Sequence, residues 1–120
     1  MGMYYVEKRL EISAAHKLEL PYESKCQNLH GHNYLVNISC RCQEGQLTEY
    51  GMVIDFTFIK KAIQDKMDHQ YLNDVMEGLN PTAENMAWWI CNEINKIMEH
   101  GECYKVSVQE SEGNIATYER

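Results

Sequence analysis

The sequence predicts an α+β domain in which two helices pack on one face of a four-stranded antiparallel sheet, in the order ββααββ. Three observations predict this fold class. Two long segments alternate apolar and polar residues with a period of two, which is typical of half-buried strands. The middle of the chain changes to the three- and four-residue spacing of amphipathic helices. Two short alternating segments follow, and this order favours helices packed together on one face of the sheet.

The first two strands are predicted from the alternation. From Tyr4 onward the even-numbered positions are mostly apolar and the odd-numbered positions are mostly polar, and the same pattern returns from Asn33 to Gln43. A polar connection that contains Pro21 lies between them, and it is long enough to carry functional residues.

The two helices have recognisable starts. Asp55 is a candidate N-cap of the first helix, and Thr82 is a candidate N-cap of the second. Gly101 is predicted to follow the C-terminal end of the second helix. The apolar stripe predicted for that helix comprises Ala87, Ile90, Cys91, Ile94, Ile97 and Met98.

Two short strands end the predicted fold. They run from Tyr104 to Glu110 and from Ile115 to Tyr118, with Gly113 in the turn between them. Such a sheet has two open edges, which attract other chains unless they are covered. Closing several sheets into a shared barrel removes the edges, so the fold favours a homo-oligomer.

The composition is that of one globular domain spanning residues 1–120. The mass is 14.0 kDa, and 11 Lys and Arg against 18 Asp and Glu leave a net charge of −7. That charge argues against a nucleic-acid or membrane partner, because phosphate groups attract a basic surface. The five cysteines are an odd number without a Cys-x-x-Cys pair, and the N-terminal residues lack the pattern of a signal peptide. We therefore expect a cytoplasmic protein.

Three histidines fall on the apolar parity of the first two strands. His16 continues the even-numbered face of the first strand, and His30 and His32 share the even-numbered face of the second. Residues two apart on a strand lie roughly 6.6 Å apart and point the same way. The three imidazoles therefore reach one region and predict a zinc site, although a lone histidine on an apolar strand face is more often a hydrogen-bonded core residue than a metal ligand. Three His ligands without a fourth protein ligand are typical of catalytic zinc.

Cys26 has two possible roles. It lies in the polar connection beside Lys25, and a neighbouring cation favours the reactive thiolate. Alternatively, Cys26 is a fourth zinc ligand, and the protein is then a non-catalytic zinc-stabilised oligomeric module.

Two further sites carry ionisable side chains. Asp68 and His69 follow the first helix, where an adjacent acid can orient an imidazole for proton transfer. The alternative is a histidine stabilised by the C-terminal end of the helix. Glu110 falls on the apolar face of its strand, so its carboxylate needs a partner, either an internal cation or a ligand with paired N–H groups.

These residues lie in segments that resemble the 6-pyruvoyl-tetrahydropterin synthase family. The segments follow one another through nearly the whole chain and comprise Ser13–Lys17, Cys26–Tyr34, Asp68–Asn73, Pro81–Asn85 and Glu110. The three-residue gap in Cys-x-x-x-His-Gly-His resembles the bacterial 6-carboxy-5,6,7,8-tetrahydropterin synthase branch. The pyruvoyl branch typically has a longer gap.

The resemblance implies the tunnelling fold, in which trimers close into a barrel and two trimers stack as a hexamer. It also implies a zinc ion (Zn²⁺), a pterin anchor and a set of acid–base groups. The residues that match the zinc ligands are His16, His30 and His32. Those that match the acid–base groups are Cys26, Asp68 and His69, and Glu110 matches the pterin anchor.

The implied reaction converts 7,8-dihydroneopterin triphosphate to 6-carboxy-5,6,7,8-tetrahydropterin, acetaldehyde and triphosphate, on the route to queuosine. The pyruvoyl-forming elimination of triphosphate is the alternative within the family. Because the net charge does not favour a triphosphate, Lys17 and Lys25 are candidates for local binding of this group.

Overall fold

The computed structural model describes all 120 residues and shows one antiparallel sheet covered on one face by helices. The strands lie side by side in chain order and comprise β1 (Met3–His16), β2 (His30–Gln43), β3 (Glu102–Ser111) and β4 (Asn114–Glu119). The helices all lie between β2 and β3 in the chain and comprise α1 (Phe56–Met67), α2 (Leu72–Val75) and α3 (Ala83–Ile97). The predicted fold class and the order of the long elements are confirmed. Neither α2 nor the 3₁₀ turn at Lys25–Gln27 is predicted from the sequence.

The pairing of β1 with β2 determines where the site lies. The two strands pair along their whole length, from Met3 opposite Gln43 to His16 opposite His30. Because paired residues point to the same side of a sheet, the even-numbered faces of both strands lie together under the helices. The even-numbered positions that the sequence predicts to be apolar therefore face the core.

One core of 24 buried residues lies between the sheet and the helices. Its contribution from β1 begins at Leu10, whereas Tyr4, at the start of the predicted apolar face, is 46% exposed. The reason is length, because the 14 residues of β1 span about 47 Å and the 15 residues of α3 only about 22 Å. The first part of the apolar face is therefore only partly covered within the chain, with Val6 half-buried against the core and Tyr4 exposed.

Both predicted helix caps are confirmed. The Asp55 side chain accepts a hydrogen bond from the Thr57 N–H at 2.8 Å, and the Thr82 hydroxyl accepts one from the Asn85 N–H at 3.1 Å. These side chains satisfy backbone donors that have no partner inside the helix.

The predicted apolar stripe of α3 is wrong at Ile97, and Gly101 follows the helix without capping it. The helix ends at Ile97, and that side chain is 42% exposed instead of belonging to the buried stripe. Gly101 lies beyond the helix with φ of +70°, and a Cβ there would clash with the Arg41 carbonyl oxygen. Glycine is therefore required by close approach of the backbone to β2, not by the helix end.

The outer edge of β1 is covered only near its C-terminal end. There the Ser13 carbonyl accepts from the His69 N–H at 2.6 Å, and the Ala15 N–H donates to the Gln70 carbonyl at 3.1 Å. Residues 3–10 have no backbone partner on that side. No helix in the chain combines the length and the apolar content that crossing a membrane requires.

Candidate active site

Four side chains converge where β1 ends, β2 begins and β3 ends. They are His16, His30, His32 and Glu110, and one ligand atom from each lies within 4.8 Å of the others. The imidazole centroids are 4.5 to 5.1 Å apart. The structure therefore brings together the three histidines that share parity in the sequence.

Backbone carbonyls determine the tautomers of two imidazoles. His16 Nδ1 lies 2.8 Å from the Pro81 carbonyl oxygen, and His30 Nδ1 lies 2.6 Å from the Asn28 carbonyl oxygen. A carbonyl only accepts, so both Nδ1 atoms carry hydrogen and both Nε2 atoms of the neutral rings present a lone pair. These two Nε2 atoms are 2.9 Å apart. Two facing lone pairs at that distance fit a cation.

The burial of His16 keeps its ring in the form that binds metal. The side chain is wholly buried, and burial lowers the pKa of His16 below its ordinary value, although the hydrogen bond to the Pro81 carbonyl acts in the opposite direction. A lowered pKa keeps the imidazole neutral near pH 7, and only the neutral ring has a free lone pair.

His32 and Glu110 complete the group. The buried Nε2 of His32 lies 3.1 Å from Glu110 Oε1 but has no hydrogen-bond partner. Buried polar atoms without a partner are uncommon in folded proteins. Imidazole nitrogens and a carboxylate oxygen are donors that zinc accepts, so the residues present fit a zinc ion.

Cys26 does not belong to this donor group. It lies in the 3₁₀ turn at Lys25–Gln27, where the Ser24 hydroxyl accepts from the Cys26 N–H at 3.2 Å. Cys26 and Glu110 line the same cavity of about 460 Å³, together with the first residues of α3. In this geometry the carboxylate of Glu110, and not Cys26, is the fourth donor nearest to the imidazoles.

Asp68 and His69 lie beside the outer edge of β1. Asp68 Oδ1 accepts from the Ser13 N–H at 2.9 Å, and Asp68 Oδ2 lies 3.6 Å from His69 Nε2. His69 has φ of 60° and is the one non-glycine residue with positive φ, a conformation that costs about 1–3 kcal/mol. His69 directly follows Asp68, the C-cap of α1, where a residue in this conformation commonly ends a helix, and its N–H also donates to the Ser13 carbonyl of β1 at 2.6 Å.

The family model described as 6-pyruvoyl tetrahydropterin synthase matches residues 5–120. The chain belongs to this family. The resemblance found in the sequence is thereby confirmed.

Relatives from both branches of the family are similar to this chain. The 6-carboxy-5,6,7,8-tetrahydropterin synthase of Synechocystis sp. is 32% identical over 122 aligned positions, covering 97% of this chain and 93% of that protein. The human 6-pyruvoyl tetrahydrobiopterin synthase is 33% identical over 131 aligned positions, covering 94% and 89%. The solved structure of Caenorhabditis elegans 6-pyruvoyl tetrahydropterin synthase covers 100% of this chain and 97% of that chain, with a TM-score of 0.78 and 29% identity. Overall identity therefore does not separate the branches.

In this family member, Cys26 and His69 line different cavities of the chain. His69, whose side chain is 81% exposed, lines a cavity of about 560 Å³ together with His32. Glu110 lines the cavity of Cys26. The contact between His32 and Glu110 therefore lies between the cavity that His69 lines and the cavity that Cys26 lines.

The two lysines predicted for triphosphate binding are exposed. Neither Lys17 nor Lys25 forms an ion pair within the chain. Their role stays a prediction.

The site also contains groups that sequence reasoning missed. The carbonyls of Pro81 and Asn28 hold the imidazoles, but every residue has a carbonyl, so the sequence contains no signal for them. The Tyr34 hydroxyl is buried without a hydrogen-bond partner, and its ring centroid lies 5.4 Å from that of His32. Burial raises the pKa of Tyr34 above its ordinary value, and the charge of Glu110 adds to that shift. The apolar parity of Tyr34 in the sequence indicated only a core residue.

Proposed function

We propose that this chain is a zinc-dependent lyase of the 6-carboxy-5,6,7,8-tetrahydropterin synthase type. Its reaction converts 7,8-dihydroneopterin triphosphate and one water to 6-carboxy-5,6,7,8-tetrahydropterin, acetaldehyde and triphosphate, on the cytoplasmic route to queuosine. The observation that carries the proposal is the convergence of His16, His30, His32 and Glu110 beside the cavity that Cys26 lines. Membership of the family supplies the class of substrate.

The three histidines are the proposed zinc ligands. When bound, zinc supplies Lewis-acid polarisation of substrate oxygens, which makes the protons on them and on the adjacent carbon easier to remove. The protein contributes the orientation of the ligands, because the Pro81 and Asn28 carbonyls hold the Nδ1 atoms of His16 and His30.

Glu110 and Cys26 are proposed to act on the pterin from one cavity. The carboxylate of Glu110 accepts two N–H groups of the pterin ring in a bidentate pair, which orients the ring. Cys26, as a thiolate, accepts a proton at Sγ. The shared cavity supports this pairing of an anchor with a base.

Asp68 and His69 are proposed to move a second proton. His69 is the proposed proton carrier, and Asp68 Oδ2, 3.6 Å from His69 Nε2, is the neighbouring acid that would orient its ring. Lys17 and Lys25 are proposed to bind the triphosphate, because their amines are exposed without an acidic partner.

Two observations favour the carboxy branch over the pyruvoyl branch. The gap between Cys26 and His30 has three residues, and the Synechocystis relative carries the name of the carboxy branch. The human and nematode relatives keep the pyruvoyl-forming elimination as the second candidate.

The deciding experiment incubates the zinc-loaded protein with 7,8-dihydroneopterin triphosphate and identifies the products by mass. We expect 6-carboxytetrahydropterin and an equal amount of acetaldehyde. A 6-pyruvoyl product without acetaldehyde would establish the second candidate instead. Zinc binding without turnover would favour the non-catalytic module.

We also propose that the protein is a homohexamer built from two barrel-forming trimers. The free edges of β1 and β4 support this assembly, since an open edge pairs readily with another strand. The sheet face away from the helices supports it as well, because Tyr5, Leu35 and Ile115 are exposed there. Native mass spectrometry should show six chains, and a monomer at micromolar concentration would contradict the proposal.

A further inference from the structure

Two asparagine side chains take the place of a neighbouring strand directly after His16. The Lys17 N–H donates to Asn73 Oδ1 at 2.9 Å, and Asn73 Nδ2 donates to the Lys17 carbonyl at 2.8 Å. Asn80 makes the same pair of hydrogen bonds with Glu19, at 2.9 and 3.0 Å. Each amide therefore reproduces the two hydrogen bonds that one residue makes in an antiparallel ladder. We call each such pair of bonds an amide clamp.

The clamped segment also contacts the turn that contains Cys26. The Leu18 N–H donates to the Cys26 carbonyl at 2.8 Å, and Gln27 Nε2 donates to the Leu20 carbonyl at 2.8 Å. The segment thus lies between the amide clamps on one side and the Cys26 turn on the other. A shift of this segment would therefore move both His16, a proposed zinc ligand, and Cys26, a proposed base.

Asn80 has a second set of contacts, which leads back to His16. Its own carbonyl accepts from the Thr82 N–H and from Asn85 Nδ2, both at 2.8 Å, at the start of α3. The next carbonyl along the chain belongs to Pro81 and accepts from His16 Nδ1. The peptide between Asn80 and Pro81 is therefore held both by the hydrogen bonds to Glu19 and by the hydrogen bonds from the start of α3.

We propose that Asn80 is a positioning residue for His16. Its clamp holds the Pro81 carbonyl against His16 Nδ1, and this hydrogen bond orients Nε2 toward the other imidazoles. The proposal rests on the proposed function in one respect, namely that these imidazoles bind zinc. Mutation of the hydrogen-bond partner of a ligand histidine typically weakens metal binding by about 10- to 100-fold. Because the Pro81 carbonyl belongs to the backbone, Asn80 is the side chain through which its position can be tested.

The chain offers a matched control in Asn95. The Cys103 N–H donates to Asn95 Oδ1, and Asn95 Nδ2 donates to the Cys103 carbonyl, both at 2.9 Å. This is the same amide clamp, but it joins the C-terminal part of α3 to the start of β3 and has no bond to a histidine. Asn95 Nδ2 also donates to the Cys91 carbonyl at 2.9 Å, so loss of the Asn95 side chain removes the two clamp bonds and one more. Only the Asn80 clamp leads to His16.

The test compares Asn80→Ala and Asn80→Asp with Asn95→Ala and Asn95→Asp. The zinc affinity of each purified protein is measured by competition with a chromophoric chelator, and its stability is measured by urea unfolding without metal. Asn80→Asp keeps the acceptor for the Glu19 N–H and places an acid at the start of α3, where the helix dipole favours it, so it keeps the test valid if the alanine variant does not fold.

We expect the Asn80 variants to bind zinc on the order of 10-fold more weakly than wild type, and the Asn95 variants to bind it as wild type does. Equal zinc affinities for wild type and the Asn80 variants would overturn the proposal. An equal loss of zinc affinity in the Asn95 variants would also overturn it, because the loss would then result from general destabilisation of the fold.

A second measurement tests the hydrogen bond of His16 in the metal-free protein. Nitrogen-15 NMR of the metal-free protein reports which ring nitrogen of each histidine carries hydrogen. We expect hydrogen on Nδ1 of His16 in wild type and a mixture of tautomers in the Asn80 variants. An unchanged His16 tautomer in those variants would overturn the positioning role. If wild type binds no zinc while the tautomer still responds to Asn80, the proposed function fails and the positioning role stands.

Discussion

The Nε2 atom of His32 faces Glu110 Oε1 at 3.1 Å without a hydrogen bond between them. The histidine is a proposed zinc ligand, and the carboxylate in contact with it is the proposed pterin anchor. Their contact lies between the cavity that contains Cys26 and the cavity that contains His69. Substitutions of the two facing residues should therefore have separable effects on zinc and on pterin.

Replacing His32 with alanine should remove most of the zinc and the activity. The variant loses one of three imidazole donors, so we expect zinc affinity to fall by at least about 100-fold. Zinc per chain is measured by plasma mass spectrometry after dialysis against a weak chelator. His100→Ala is the control, because His100 is exposed and lies outside the donor group. One retained zinc per chain in the His32 variant would show that the ligand assignment is wrong.

Glu110→Gln should weaken pterin binding and leave zinc in place. The substitution preserves the shape of the side chain but removes its charge, and hydrogen bonds to charged groups contribute about 1.5–3 kcal/mol. Calorimetric titration with a pterin that lacks the phosphate tail isolates this contact. Equal affinities would show that Glu110 is not the anchor, and loss of zinc would identify it as a metal ligand instead.

Cys26→Ala should retain zinc and lose turnover. The side chain lies outside the group of four donor residues, so coordination does not depend on it. Loss of a positioned base typically lowers the rate by about 10²- to 10⁴-fold. Zinc content and steady-state turnover are measured on the same preparation. A variant without zinc would support the structural alternative, in which Cys26 completes the coordination.

Mixing two inactive variants should restore activity if each active site is shared between chains. Cys26 and His69 line different cavities of one chain, and the proposed hexamer would bring Cys26 of one chain to His69 of another. Cys26→Ala and His69→Ala proteins, unfolded and refolded together in equal amounts, should then have about a quarter of their sites intact. Each variant refolded alone is the control. No activity in the mixture would place both residues of a site in one chain.

Glu93→Gln should destabilise the protein near neutral pH and have less effect in acid. Burial alone would raise the pKa of Glu93, but hydrogen bonds from Lys96 and Lys66 outweigh it and lower that pKa below its ordinary value. A lowered pKa in the folded state contributes stability above the ordinary pKa of 4.5, and this stability is lost as the pH falls through the lower, folded-state value. Because both lysines are more than half exposed, we expect about 1 kcal/mol at pH 7.

The measurement for Glu93 is urea unfolding at pH 7 and at pH 3.5. Glu99→Gln serves as the control, because Glu99 is exposed and forms no ion pair. The difference between wild type and the Glu93 variant should shrink at the lower pH. A difference that stays constant would mean that the charge of Glu93 contributes nothing and that its packing alone matters.

The sequence by itself determined the fold class and the face on which the three histidines lie. Strand parity and helical spacing are local properties, so they can be read without knowing which segments meet. The caps at Asp55 and Thr82 were predictable for the same reason, since a cap needs only residues within the next turn. Parity also placed the Glu110 carboxylate on the apolar face, which indicated that it needs a partner.

Only the tertiary structure decided which groups hold these side chains and which of them meet. The Pro81 carbonyl orients His16 across 65 residues of sequence, and Asn80 holds Glu19 across 61. The helices are too short to cover all of β1, and Cys26 and His69 line separate cavities although both lie near the histidines. These features depend on backbone groups and on the relative position of distant segments. Residue type does not encode such contacts, because every residue carries the same backbone carbonyl and N–H groups apart from proline, which lacks the N–H.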